Sequence, residues 1–106
     1  MNRKEKVMIL KRFAKLAEEN VTLEEIKNYD SEKRMKKNKE YMRYIVDAIV
    51  NVRDDDQRNA LQQIYILGRT REKTAERMNF CVSHINRIHN NAVDNIDLKI
   101  LEKIKI

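Results

Sequence analysis

The chain has no proline and a single glycine, Gly68, in 106 residues, so the two residue types that most readily interrupt a helix are almost missing. Lys, Glu, Leu, Ile, Met and Arg are abundant instead, and all of them are accommodated in helices. The fold class this predicts is all-α, a small helical domain of about five to six helices, broken where Asn, Asp, Ser, Thr or the lone glycine can cap a helix end. A chain of this length supports one core rather than two. Hydrophobic residues at 42% against 38% charged separate it from both an acidic disordered tail and a membrane protein.

No apolar run approaches the ~20 residues that span a bilayer, and the charged stretch from Met1 to Lys6 does not read as a signal peptide, so no membrane partner is expected. Cys81 is the only cysteine, which rules out an intrachain disulfide and fits a reducing, cytoplasmic setting. One cysteine and two histidines cannot complete a structural zinc site without carboxylates. There is no paired acid and base, no glycine loop to cradle phosphate and no metal set, so the expected role is binding without catalysis, metal or cofactor. The net charge of +6 favours a polyanionic partner. It is spread over the chain, with 13 basic against 9 acidic residues in positions 1–50 and 10 against 8 thereafter, so no polybasic tail accounts for it.

From Asn2 to Glu19, Val7, Leu10, Ala14 and Ala17 recur at three and four residues beside a stripe of Ile9, Phe13 and Leu16, which predicts a first core-facing helix. Thr22 followed by Glu25 has the form of a capping box and predicts a short second helix on Leu23 and Ile26, ending near Tyr29. Asp30 or Ser31 then caps a third helix to about Val52, with Met35, Met42, Ile45, Ile49 and Val52 inward. Its basic run, Lys33, Arg34, Lys36, Lys37 and Lys39, reads as a solvated face. Asp54, Asp55 and Asp56 suit a helix N-terminus, where free amides and partial positive charge favour carboxylates. As a metal site they are poor, because consecutive side chains diverge. Leu61, Ile64, Tyr65 and Leu67 supply that helix's apolar face, Gly68 ends it and Thr70 caps the next. Tyr41, Tyr44 and Tyr65 are read as anchors at the core edge.

Between Gly68 and Val93 the order of residues is more specific. A helix from Arg71 to Met78 brings the small Ala75 against its successor, and Met78 and Ile85 fill the space between them. Asn79 tolerates the left-handed backbone and turns the chain, and Phe80 or Cys81 leads into a second helix. There Ile85, Ile88 and Ala92 point inward, which turns Ser83, Asn86, Arg87 and Asn90 outward, with Val82 and His84 at the first turn. Arg donates twice to guanine, Asn pairs with adenine, Val82 suits a thymine methyl and Ser83 at a helix N-terminus suits phosphate. No Asp or Glu occurs from Val82 to Ala92 although the chain has 17, as expected of a face turned to a polyanion. Cys81 with His84 three residues on is better read as a structural thiol than as a nucleophile. His89, beside Ile85 and Ile88, is either a half-buried packing residue or a phosphate contact.

The stretch Tyr65-Ile-Leu-Gly68-Arg-Thr70, then Thr74 to Cys81, His84 to His89 and Ala92-Val93 resembles the helix-turn-helix of sigma factor region 4. It resembles more closely the phage and prophage transcriptional regulators of the ArpU and RinA type. Thr74 stands where that pattern has Ile, Met78-Asn79 where it has Leu-Gly, Cys81 where it has a capping Ser and Val93 where it has Leu. The resemblance implies a sequence-specific regulator of a mobile element in a bacterial host cell, bound to double-stranded DNA through the helix from about 82 to 95. Val82, Ser83, Asn86, Arg87 and Asn90 are the expected base contacts, and Arg69, Thr70, Arg71, Lys73, Arg77 and His84 the backbone contacts.

Residues 1–53 then form an N-terminal support or interaction region and residues 54–106 the DNA-binding region. The run from Asn95 to Ile106 is unusually apolar and is expected to extend the recognition helix through Ile96, Ile100 and Ile104. It would pack on the first helix or on a second copy, and a homodimer would match paired DNA half-sites. Two other readings remain: a module that binds RNA polymerase or another regulator, and a small subunit of a DNA-packaging assembly.

Overall fold

The computed structural model describes residues 1–103, and these form six α-helices and no strand. The helices are α1 (Arg3–Ile26), α2 (Tyr29–Val50), α3 (Asp55–Leu61), α4 (Arg71–Met78), α5 (Val82–Asp94) and α6 (Leu98–Glu102). The helix α3 runs on through a π turn at Gln62–Ile66.

The expected short second helix does not exist, because α1 continues through it. Thr22 stays inside the helix and its hydroxyl donates to the Glu18 carbonyl at 3.4 Å, and no residue before it supplies the break a capping box needs. The stop comes at Lys27, which takes the left-handed conformation at φ 49°. Asn28 and Ser31 then cap reciprocally: Asn28 Oδ1 accepts from the Ser31 amide at 2.7 Å, and Ser31 Oγ from the Asn28 amide at 2.8 Å. The next helix therefore starts at Tyr29 rather than from an Asp30 or Ser31 cap.

The two long helices fold back on each other, and their inner halves meet the rest of the chain in one core. Leu10, Ile45, Ala48, Ile49, Val52, Leu61, Tyr65, Ala92, Val93, Ile96 and Leu101 form it, with Phe13, Tyr41 and Tyr44 packed at its edge. The outer half of the hairpin stands beyond that cluster and is joined by polar contacts. Asn38 Nδ2 donates to Asn20 Oδ1 and Glu19 Oε1, both at 2.9 Å, and Arg34 Nε reaches the same Glu19 oxygen at 2.7 Å.

Asp54 caps α3 as expected, accepting from the Gln57 amide at 2.9 Å. In the π turn the Leu67 amide donates to the Gln62 carbonyl five residues back, at 3.0 Å, which adds a residue to the turn and rotates the chain beyond it. Tyr65 stays buried, but Leu67, expected on the same apolar face, is 58% exposed. Gly68 ends the segment at φ 68°.

The expected extension of the recognition helix is also corrected. That helix stops at Asp94, and Asp97 starts a separate helix by accepting from the Lys99 amide at 2.9 Å. Ile96 and Leu101 are buried and α6 packs on α2, while Leu98 is 37% exposed. Ile104 and Ile106 lie outside the described residues.

Candidate nucleic-acid interface

The start of α4 and the turn that follows it have local chemical causes. Thr70 Oγ1 accepts from the Lys73 amide at 3.1 Å and starts α4. Thr74 is fully buried, yet its hydroxyl is satisfied at 2.8 Å by the Thr70 carbonyl. Ala75 is buried where α4 meets α5. Asn79 adopts φ 60°, and the Phe80 amide closes the turn on the Ala75 carbonyl at 3.0 Å. Asparagine thus performs the left-handed turn that glycine most often makes.

Cys81 occupies the cap position of α5 without a side-chain bond to the backbone. Its sulfur lies 3.3 Å from Ser83 Oγ. The Ser83 hydroxyl, and after it the His84 amide, hold the thiol below the usual cysteine range. The His84 ring is occupied elsewhere, edge-on to Phe80 at 4.6 Å between centroids.

Ile85, Ile88, Ala92 and Val93 are all buried, and α5 packs on α3 and α4. Helical geometry then carries Ser83, Asn86, Arg87 and Asn90 to the opposite side, at spacings of three, one and three residues. Ser83, Asn86 and Arg87 are exposed, Val82 is 36% exposed and Asn90 is half-buried. The only acid of the helix, Asp94, sits at its far end in a two-bond pair with Arg3, Nε to Oδ1 at 3.0 Å and Nη2 to Oδ2 at 2.7 Å. That guanidinium holds the carboxyl below its ordinary range, first through the hydrogen bond and then through charge.

Among the expected backbone contacts, Lys73 and Arg77 stand exposed on α4, with Lys73 Nζ 3.7 Å from Glu76. The Thr70 hydroxyl is occupied by its cap. Arg69 turns toward the π turn and donates to Gln63 Oε1 at 2.6 Å. Arg71 crosses to the outer face of α5, where its Nη1 donates to Asn86 Oδ1 at 3.2 Å.

Of two further features of the site, the sequence left the first, His89, open between packing and phosphate contact, and it gave no role to Lys6. His89 is buried rather than free to meet phosphate: it is 2% exposed, with Nε2 2.7 Å from the Tyr65 hydroxyl and Nδ1 3.1 Å from Asn90 Oδ1. The Tyr65 hydroxyl and the Asn90 amide thus occupy both ring nitrogens. Burial pushes the imidazole below, and the phenol above, their ordinary pKa values. Lys6, the second, is 6% exposed. Its ammonium donates to the carbonyls of Val93, Asp94 and Ile96 at 3.1, 3.2 and 3.5 Å, and so closes the C-terminal end of α5 where carbonyls lack helical partners. The sequence signal that could have found it was a lysine one helical turn before Leu10, on the stripe that faces the core.

No family model matches the chain, and no curated protein or solved structure matches it significantly.

Proposed function

We propose that the chain is a sequence-specific duplex DNA-binding transcriptional regulator of a phage or mobile element, with α5 lying in the major groove. The observation that carries this reading is the division of α5 into two faces. Its apolar residues are buried, while Ser83, Asn86 and Arg87 stand exposed on a face without acids. A 13-residue helix is about 20 Å long, and a major groove about 12 Å wide admits it. Arg87, with five donors, suits a guanine edge, and Ser83 at the first turn suits a phosphate. Arg71, Lys73 and Arg77 supply charge from α4 for the flanking backbone. The mobile-element assignment rests on the resemblance to the ArpU and RinA regulators.

The test begins with duplexes enriched from a random pool, followed by titration of variants against the enriched site. Arg87→Ala is expected to lose about 1 to 3 kcal/mol on that site and to relax base preference. Lys73→Ala is expected to weaken all duplexes alike and lower the salt slope by about 1. An Arg87→Ala protein that binds every duplex as the parent does refutes the assignment.

One observation favours protein contact as a second reading for the N-terminal hairpin. At its outer end Val21, Ile26 and Tyr29 are 64, 53 and 77% exposed, an apolar patch set among exposed charges of both signs, Glu24, Glu25 and Asp30 beside Lys27 and Lys33. A hairpin that binds RNA polymerase or another regulator there would retain its partner without DNA and show no steep salt dependence.

A further inference from the structure

We infer that Asn86 on the outer face of α5 is held by Arg71 to present a hydrogen-bond donor, so that the DNA sites the helix selects carry guanine opposite Asn86 and Arg87. This rests on the DNA-reading role proposed above and adds the chemistry of the base edge.

An asparagine amide can present an acceptor, a donor or both, and pairing with adenine uses both: the oxygen accepts from N6 and the nitrogen donates to N7. Among the asparagines of the outer face, Asn86 has its oxygen held by the protein. Asn86 Oδ1 accepts from Arg71 Nη1 at 3.2 Å, and a guanidinium has only donors, so the amide's orientation is fixed by its partner. The Asn86 amide therefore turns its NH2 group away from Arg71, on the same helix face as an Arg87 that can only donate. The major-groove edge of guanine offers two acceptors, N7 and O6, whereas adenine sets its own N6 donor against the protein's donors. Arg71 thus acts as a specificity-determining residue through Asn86, a role distinct from supplying charge to phosphate.

The experiment is enrichment of duplexes from a random pool by the full chain and by its Arg71→Ala and Arg71→Lys variants. The parent is expected to enrich guanine at the positions facing α5. Freed of its tether, Asn86 in Arg71→Ala can rotate to engage adenine, and adenine is expected to gain on guanine about tenfold at one position only, within the range of a single two-bond base contact. Arg71→Lys still donates and is expected to restore guanine there. A backbone role alone for Arg71 would lower affinity for every sequence and leave base preference unmoved, and that outcome overturns the inference. A parent that enriches adenine at these positions also overturns it while leaving DNA reading intact. A parent that enriches no sequence removes the DNA-reading proposal and this inference with it.

Discussion

Replacing Lys6 with methionine is expected to loosen the helix that carries the candidate interface. Methionine keeps an unbranched stem of similar size and removes only the ammonium of a residue that is 6% exposed and faces three carbonyls. Two of those bonds, at 3.1 and 3.2 Å, are well formed, and hydrogen bonds to charged groups contribute about 1.5 to 3 kcal/mol each. Those figures are already net of desolvation, and the loss is offset in part because water can reach the part-buried carbonyl of Asp94. A net destabilisation of about 2 to 3 kcal/mol remains. Urea unfolding followed by helical circular dichroism reads it directly: with a slope of about 1 to 3 kcal/mol per M for a small domain, the midpoint falls by roughly 1 to 2 M. Lys11→Met, at an exposed position of the same helix, is the control and is expected to change stability by less than about 0.5 kcal/mol. If Lys6→Met matches that control, the ammonium does not secure the end of α5 and the reasoning fails.

Acid is expected to destabilise the fold before any carboxylate titrates. Burial, and after it Arg71, Arg3 and Lys11, favour neutral His89 against the single opposing bond to Asn90. The folded state therefore binds the proton less readily than the unfolded chain. The stabilising contribution is complete above the unfolded imidazole value near 6.5 and is lost as pH falls from there toward the lower folded value, at up to about 1.4 kcal/mol per pH unit. Asp94 and Glu19 are held low by Arg3 and Arg34, and their contributions fade only below about pH 4, so melting temperatures between pH 5 and 7 isolate His89. A flat profile in that window contradicts the assignment. At the turn, Asn79→Ala is expected to cost about 1 kcal/mol and Asn79→Gly to be neutral or slightly stabilising, because φ is 60°. Gly68→Ala should cost a similar amount although open space surrounds the added carbon. Equal denaturation midpoints for the two Asn79 variants would show that the left-handed backbone is not what the turn requires.

The parts of the fold legible in sequence are those decided within a few residues. Thr70, Asn79, Gly68 and Asp54 act where they stand, and the spacing of Ile85, Ile88 and Ala92 is enough to orient α5. The parts that escaped are decided at a distance or by competition. Thr22 and Glu25 have the form of a cap, but a cap works only after a break, and the break sits five residues on, where Lys27 turns left-handed and Asn28 pairs with Ser31. The π turn moves Leu67 off a face that simple periodicity assigns to it. The end of α5 depends on Lys6, 87 residues away from Val93, so the apolar residues after Asp94 read in sequence as more of the same helix. The candidate interface divides along the same line. Its membership follows from helical period, since residues opposite a buried stripe must face out. Its chemistry does not, because an exposed asparagine is ambivalent until something holds one end of it. At Asn86 that something is a guanidinium on another helix. Period alone therefore names the residues that face outward, while the tertiary contacts behind them decide which hydrogen-bonding groups those residues present.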